Sequence, residues 1–327
     1  SLFKQTVLAP HFLNEYFEKT VSLLEKDLTR RFDYPTNLAV ELFHKTLWDP
    51  QHPYGRLASG TPTMLAQRNI DEIHHRHQSV FLEQQPVLSL VGNFDIETTH
   101  AFLEEELLPF NHAPKHHGNI IVPERHQESR FAFYPFEGEQ THIILGFEGL
   151  TLLDPQRDAL LLLMACLAGQ SGLLFQELRE KHSLCYQVQG FHFEGLLPGA
   201  CGFYIGCAHN KVHRAIQQLE ALIHRLCHHE LPHHDIERAK NLLIGQQQIA
   251  QQRIQNRALG FCINTLFGKE YDAHLKLAQR LQQISAGDLQ DVAQSLFKDQ
   301  KRALVVVGEK HDAIGTPDID GKKLVMS

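Results

Sequence analysis

The residues His229-Glu230-Leu231-Pro232-His233 spell H-E-x-x-H. In that pattern two imidazoles four positions apart on one helical turn hold zinc, and the glutamate between them activates water. Pro232 defeats the chemistry. It cannot donate the backbone hydrogen bond of a continuous helix, and it biases Leu231 away from helical geometry. The stretch instead predicts a helix ending near His228, a short turn, and a new helix from around Asp235. With 23 histidines in 327 residues, a chance match is unsurprising. The same solvated-surface reading covers His74, His75, His77 and the pair His116-His117. The inverted pattern H-x-x-E-H, a P-loop and a G-x-S-x-G elbow are absent from the sequence.

Two other pairs could do chemistry. Glu18 and Glu25, seven apart in YFEKTVSLLEKDL, share one face of a predicted helix two turns apart. On spacing alone, a solvated face beside Lys19 and Lys26 is the favoured reading. Arg179 and Tyr186 in FQELREKHSLCYQV stand across the end of a helix and the start of a strand. A guanidinium fork and a phenol aimed at one place can hold a peptide carbonyl or an oxyanion. An ordinary surface ion pair and a half-buried tyrosine remain the plain alternative.

The elements that must position these residues follow from periodicity, caps and breakers. Helices are predicted over 12–31, 35–47, largely over 62–83, and over 96–107, with a strand at 86–92. Further on, strands near 130–134 and 140–148 precede a helix with Asp154 as N-cap and Pro155 at its first position. A second helix is expected over about 172–182, then strands near 186–193 and 199–208. Helices at 210–228, 236–262, 270–283 and 287–298 lead to a closing strand at 302–308. Strands grouped into ribbons, with helices in pairs, predict an α+β class.

An internal repeat organises the chain. Thr46-Leu47-Trp48 parallels Thr265-Leu266-Phe267 at an offset of 219, and Val91-Gly92 parallels Val307-Gly308 at an offset of 216. Two matched anchors at nearly one offset predict two homologous domains, each a mostly antiparallel sheet with helices packed on one face. The boundaries are 1–118, a linker at 119–127, and 128–327. The first copy is expected to start about 88 residues ahead of Ser1, so the first domain is incomplete.

Composition narrows the class of function. With 43% hydrophobic and 21% charged residues the chain is typical of globular protein. A net charge of -7 without a basic run argues against nucleic acid as partner. No apolar run reaches the length of about 18 residues that a membrane span needs. The six cysteines all lie beyond residue 165, none in C-x-x-C, and most in apolar runs that suit buried thiols.

The segment GQSGLLFQELREKHSLCYQVQGF at 169–191 resembles the signature of the insulinase/pitrilysin family of zinc peptidases, in its C-terminal type of domain. Residues 8–61 are similar to the second half of that family's zinc-bearing domain. The resemblance implies a zinc metalloendopeptidase whose two halves close around a peptide or small unfolded protein. By the same resemblance Glu25 matches the distal glutamate ligand of zinc and Glu18 the supporting acid one heptad earlier. Arg179 and Tyr186 match the pair that contacts the substrate backbone. The two histidine ligands and the general base have no counterpart in these residues. Zinc is thus expected in a full-length protein, and none in the family site of this chain, which alone is expected to be inactive. A homodimer or a paired family subunit is the implied partner, and the family also contains non-catalytic substrate-binding or structural subunits. Its members are spread over many compartments, periplasm and cytoplasm among them in bacteria.

Overall fold

The computed structural model describes residues 2–84, 86–107, 128–298, 300–309 and 323–324. The expected linker at 119–127, and 108–118 before it, lie outside the described residues.

In chain order the elements are α1 (Leu2–Leu8), α2 (Asn14–Arg31), α3 (Pro35–Leu47), α4 (Pro62–Ala66), α5 (Ile70–His77) and α6 (Ile96–Leu107). Then come β1 (Arg130–Pro135), β2 (Thr141–Glu148), α7 (Arg157–Leu167), β3 (Gln187–Phe193), β4 (Ala200–Cys207) and α8 (Val212–His228). The chain continues with α9 (His233–Gln251), α10 (Ile254–Leu266), α11 (Leu277–Gln283), α12 (Ala286–Phe297), β5 (Arg302–Gly308) and β6 (Lys323–Leu324). Contacts divide the chain into two compact units. The first holds Ser1–Arg30, Ala58–Ile121 and Ile249–His274; the second holds Arg31–Leu57, Val122–Gln248 and Leu275–Ser327. This grouping is interleaved along the sequence, whereas the repeat predicts boundaries at 118 and 128.

The second unit is the expected α+β architecture. Its sheet runs β3-β4-β2-β5-β1-β6, antiparallel except where β1 joins β5 and β6. One face carries Ile143, Leu145, Phe203, Ile205, Leu304 and Val306 into a core with α7, α8 and α12. There is one addition to the expected packing. The other face is covered as well, by α3, whose Leu38, Leu42 and Phe43 meet Ile144, Tyr204, Val305 and Val307. That is why HIILGF and ALVVV are continuous apolar runs, for strands covered on both sides have no solvent face to alternate with. Phe43 seats directly over Gly146 of β2, where any Cβ would collide with its ring.

The first unit is built of helices. His77 donates from Nε2 to the Val7 carbonyl at 2.8 Å, and Phe12 sets its edge against the rings of His74 and His77. Asn264 donates to the Tyr271 carbonyl at 3.1 Å. Residues 86–92, expected as a strand, are not one among the described residues. An extended segment becomes a strand only when a neighbour's backbone pairs with it.

Helix boundaries also differ, and the helix expected over 270–283 is α11 alone, preceded by a 3-10 turn at Ala273–Lys276. The helix expected over 236–262 breaks between α9 and α10, where Asn256 donates its side-chain amide to the Ala250 carbonyl at 2.9 Å and substitutes for a helical donor. Asp154 accepts from the Gln156 amide at 2.8 Å in a turn, and α7 begins only at Arg157. The segment expected as a helix over 172–182 contains a π-helix, Phe175–Lys181.

Candidate functional site

The π-helix Phe175–Lys181 is anchored by Leu178, which is buried in the core. Its i→i+5 turns are wider than an α-helix and occur often at functional sites. It leads into a tight reversal. Ser183 takes a left-handed φ of 51°, the Leu184 amide donates to the Leu178 carbonyl at 2.8 Å, and Lys211 donates to the Ser183 carbonyl at 2.7 Å. A non-glycine residue held at positive φ stores modest strain, which the surrounding bonds must hold in place.

This reversal brings together two of the residues singled out above. Arg179 donates from Nη1 to the Tyr186 carbonyl at 2.8 Å, while its guanidinium lies 5.0 Å from the centroid of the Phe175 ring. The Tyr186 amide donates to the Gly206 carbonyl at 2.9 Å, setting Tyr186 in register immediately ahead of β3. Its side chain is 57% exposed. Among the described residues β3 stands at the end of the sheet and pairs with β4 alone. A cation fixed by its own backbone partner and an exposed phenol thus sit at the head of an edge strand. Such an arrangement donates hydrogen bonds to carbonyls and offers a template for an added strand.

Behind it, Glu177 binds Arg225 at 2.9 Å and Lys181 at 3.3 Å. Burial raises its pKa, but the bonds and charges of Arg225 and Lys181 outweigh burial and hold the carboxyl below the usual carboxylate range. The neighbouring Cys185 is no candidate nucleophile, because burial pushes its thiol up to about 11 despite the opposing charges of Arg179 and Lys211. Burial likewise pushes Cys166, Cys201 and Cys207 up to about 12. None of the six cysteines is in a disulfide.

Sequence reasoning missed Phe175 and Lys211 as supports. Phe175 was within reach, four residues before Arg179 on a helical turn. Lys211 had no local signal, since only the fold brings it to Ser183.

Glu18 and Glu25 lie in the first unit, both exposed on α2. Asn14 donates to Glu18 Oε1 at 2.8 Å. Among the described residues no three His, Cys, Asp or Glu side chains come together to hold a metal. Catalytic zinc needs three protein ligands and an open position, so the donors described here do not fit that ion. The H-E-x-x-H stretch adds nothing: α8 ends at His228, His229 is extended at φ -136° and ψ 136°, and α9 begins at His233. Its two imidazoles stand on opposite sides of a turn.

Residues 69–243 match the family model described as the peptidase M16 inactive domain. The chain belongs to the peptidase M16 family. This is the insulinase membership that the segment at 169–191 led one to expect. An uncharacterized zinc protease of Rickettsia bellii is 25% identical over 298 residues, covering 90% of this M16 chain and 71% of that protein. One from Streptomyces coelicolor is 30% identical over 178 residues, 53% of this chain and 38% of its own length. Among solved structures, the peptidase M16 inactive domain from Pseudomonas fluorescens superposes with a TM-score of 0.80 at 15% identity, covering 95% of this chain and 74% of that one. The periplasmic protease PqqL from Escherichia coli does so with a TM-score of 0.74 at 13% identity, over 94% and 34% of the two chains. Among the described residues no helix is long and apolar enough to cross a membrane.

Proposed function

We propose that this M16 chain is the substrate-facing part of a zinc metalloendopeptidase that cleaves peptides between two closing halves. The observation that carries this reading is the Arg179–Tyr186 pair at the head of the edge strand β3. Backbone carbonyls of an extended peptide are what a guanidinium and a phenol so placed recognise, with little dependence on side chains. Glu25 is assigned as the single zinc ligand this chain contributes, and Glu18 as its supporting acid. The remaining donors and the general base lie outside these 327 residues, so the chain alone binds peptide and does not hydrolyse it.

A second reading has its own support. The matched family model is described as the inactive domain, which suits a non-catalytic substrate-binding or structural partner of an active subunit. Two measurements test the readings, and the second separates them. A fluorescent unfolded peptide binds the chain without cleavage, and Arg179→Ala weakens that binding about tenfold, the loss expected for a charge-assisted hydrogen bond of about 1.5 kcal/mol. In the full-length protein, Glu25→Gln lowers zinc occupancy. Unchanged occupancy removes Glu25 from the site, and a full-length protein that binds no zinc leaves the partner reading.

A further inference from the structure

α8 buries Val212, Ala215, Ile216, Leu219, Leu222, Ile223, Leu226 and Cys227 on one face. The opposite stripe therefore carries His213, Gln217, Glu220, His224 and His228, spaced three or four apart. In the last turn the rings of His224 and His228 lie 4.0 Å apart between centroids and within 19° of parallel. His228 Nδ1 is 2.7 Å from the His224 carbonyl oxygen. A carbonyl can only accept, so the proton is on Nδ1, and in the neutral ring the lone pair is left on Nε2. Metal-binding histidines are characteristically anchored this way, one ring nitrogen donating to a carbonyl while the other faces the ion. The end of the helix adds a second favourable feature, because its carbonyl dipoles attract positive charge. The neighbouring cation, Arg225, is bound to Glu177 at 2.9 Å.

Among the described residues no third His, Cys, Asp or Glu joins the pair. Glu220 is paired with Arg302 at 2.9 Å, and His213 is bonded to Gln217 at 2.8 Å. We propose that His224 and His228 form a bidentate surface site for a late first-row divalent cation, with water filling the other positions. The stacked rings set their lone pairs side by side, so His224 turns out of the stack to bring its Nε2 to an ion held by the anchored His228. Imidazole donors with open water positions favour Cu2+ over Ni2+ and Zn2+. The site is distinct from the 229–233 stretch and from Glu25.

The test is calorimetric titration of the 327-residue chain with Cu2+, Ni2+ and Zn2+ in a non-chelating buffer, with Cu2+ electron paramagnetic resonance as a second readout. One Cu2+ equivalent binds more tightly than the others and shows coupling to two nitrogens. His224→Gln or His228→Gln weakens that equivalent at least tenfold and removes one nitrogen from the spectrum, with the thermal midpoint unchanged because both side chains are exposed. His233→Gln and Glu25→Gln leave it as it was. Lowering the pH weakens it, since protons compete for the same lone pairs. An unchanged affinity in the double His224→Gln, His228→Gln variant overturns the proposal. So does an equal loss in His233→Gln or Glu25→Gln.

Discussion

The two units of this chain solve the problem of burial very differently. The second unit sandwiches one sheet between α7, α8 and α12 on one side and α3 on the other, and its strands β2 and β4 are buried almost end to end. In the first unit Leu28 is the one apolar side chain among the described residues that is buried, while Leu23, Ile96, Leu259 and Leu266 are exposed. The comparison teaches that a local pattern is enough to specify a helix but not to stabilise it, because most helical stability in proteins comes from a packed apolar face. The second unit has the rigidity to hold Arg179 and Tyr186 in place. The helix bearing Glu18 and Glu25 lacks comparable support.

The sharpest way to break this comparison is to remove the side chain that closes the second face. Phe43→Ala is expected to cost about 3–5 kcal/mol of unfolding free energy by denaturant titration, since it empties a fully packed site over Gly146. Hydrogen exchange in the unaltered protein should show amides of β2, β4 and β5 protected far longer than those of α2 and α10. Equal protection would contradict the contrast. Next in size is Gly195→Ala. A Cβ there would collide with the Tyr54 hydroxyl, which accepts from the Leu197 amide at 3.3 Å and donates to its carbonyl at 3.4 Å. The expected cost is about 1–3 kcal/mol, relieved in a Gly195→Ala, Tyr54→Ala double variant relative to Tyr54→Ala alone.

The smallest effect concerns acid. Burial holds the imidazoles of His142, His52 and His192 in the second unit below their ordinary value of 6.5, and does so for His274 in the first. Unfolded, each titrates near the ordinary value, so below about pH 6.5 the unfolded chain takes up protons that the folded one refuses. Stability is therefore full at neutral pH and falls on acidification. His142 shares a 2.7 Å hydrogen bond with the Tyr204 hydroxyl inside the core under α3. His142→Gln should flatten the pH dependence of denaturant midpoints between pH 7 and 5. An unchanged slope would remove His142 from the account.

Much of this was readable residue by residue. The strand at 302–308 and the helices at 35–47 and 96–107 fall on their expected bounds, because apolar runs and caps are local signals. The break of H-E-x-x-H at Pro232 was equally local. The break at 252–253 was not, since it contains neither Pro nor Gly and depends on one asparagine finding a carbonyl six residues back. Of the candidate site, residue types and spacing were legible at Arg179 and Tyr186. The π-helix, the positive φ of Ser183 and the reach of Lys211 were not.

The sequence by itself determined the family and the α+β class and singled out Arg179 and Tyr186 as candidates, for these rest on residue type and short-range spacing. Only the tertiary structure decided that α3 covers the sheet's second face, that Arg179 is tied to the backbone of Tyr186, and that the described residues of the first unit bury scarcely any core. Those outcomes depend on which distant surfaces meet, and a chain's local pattern carries the strength of an apolar face without naming the face it will find.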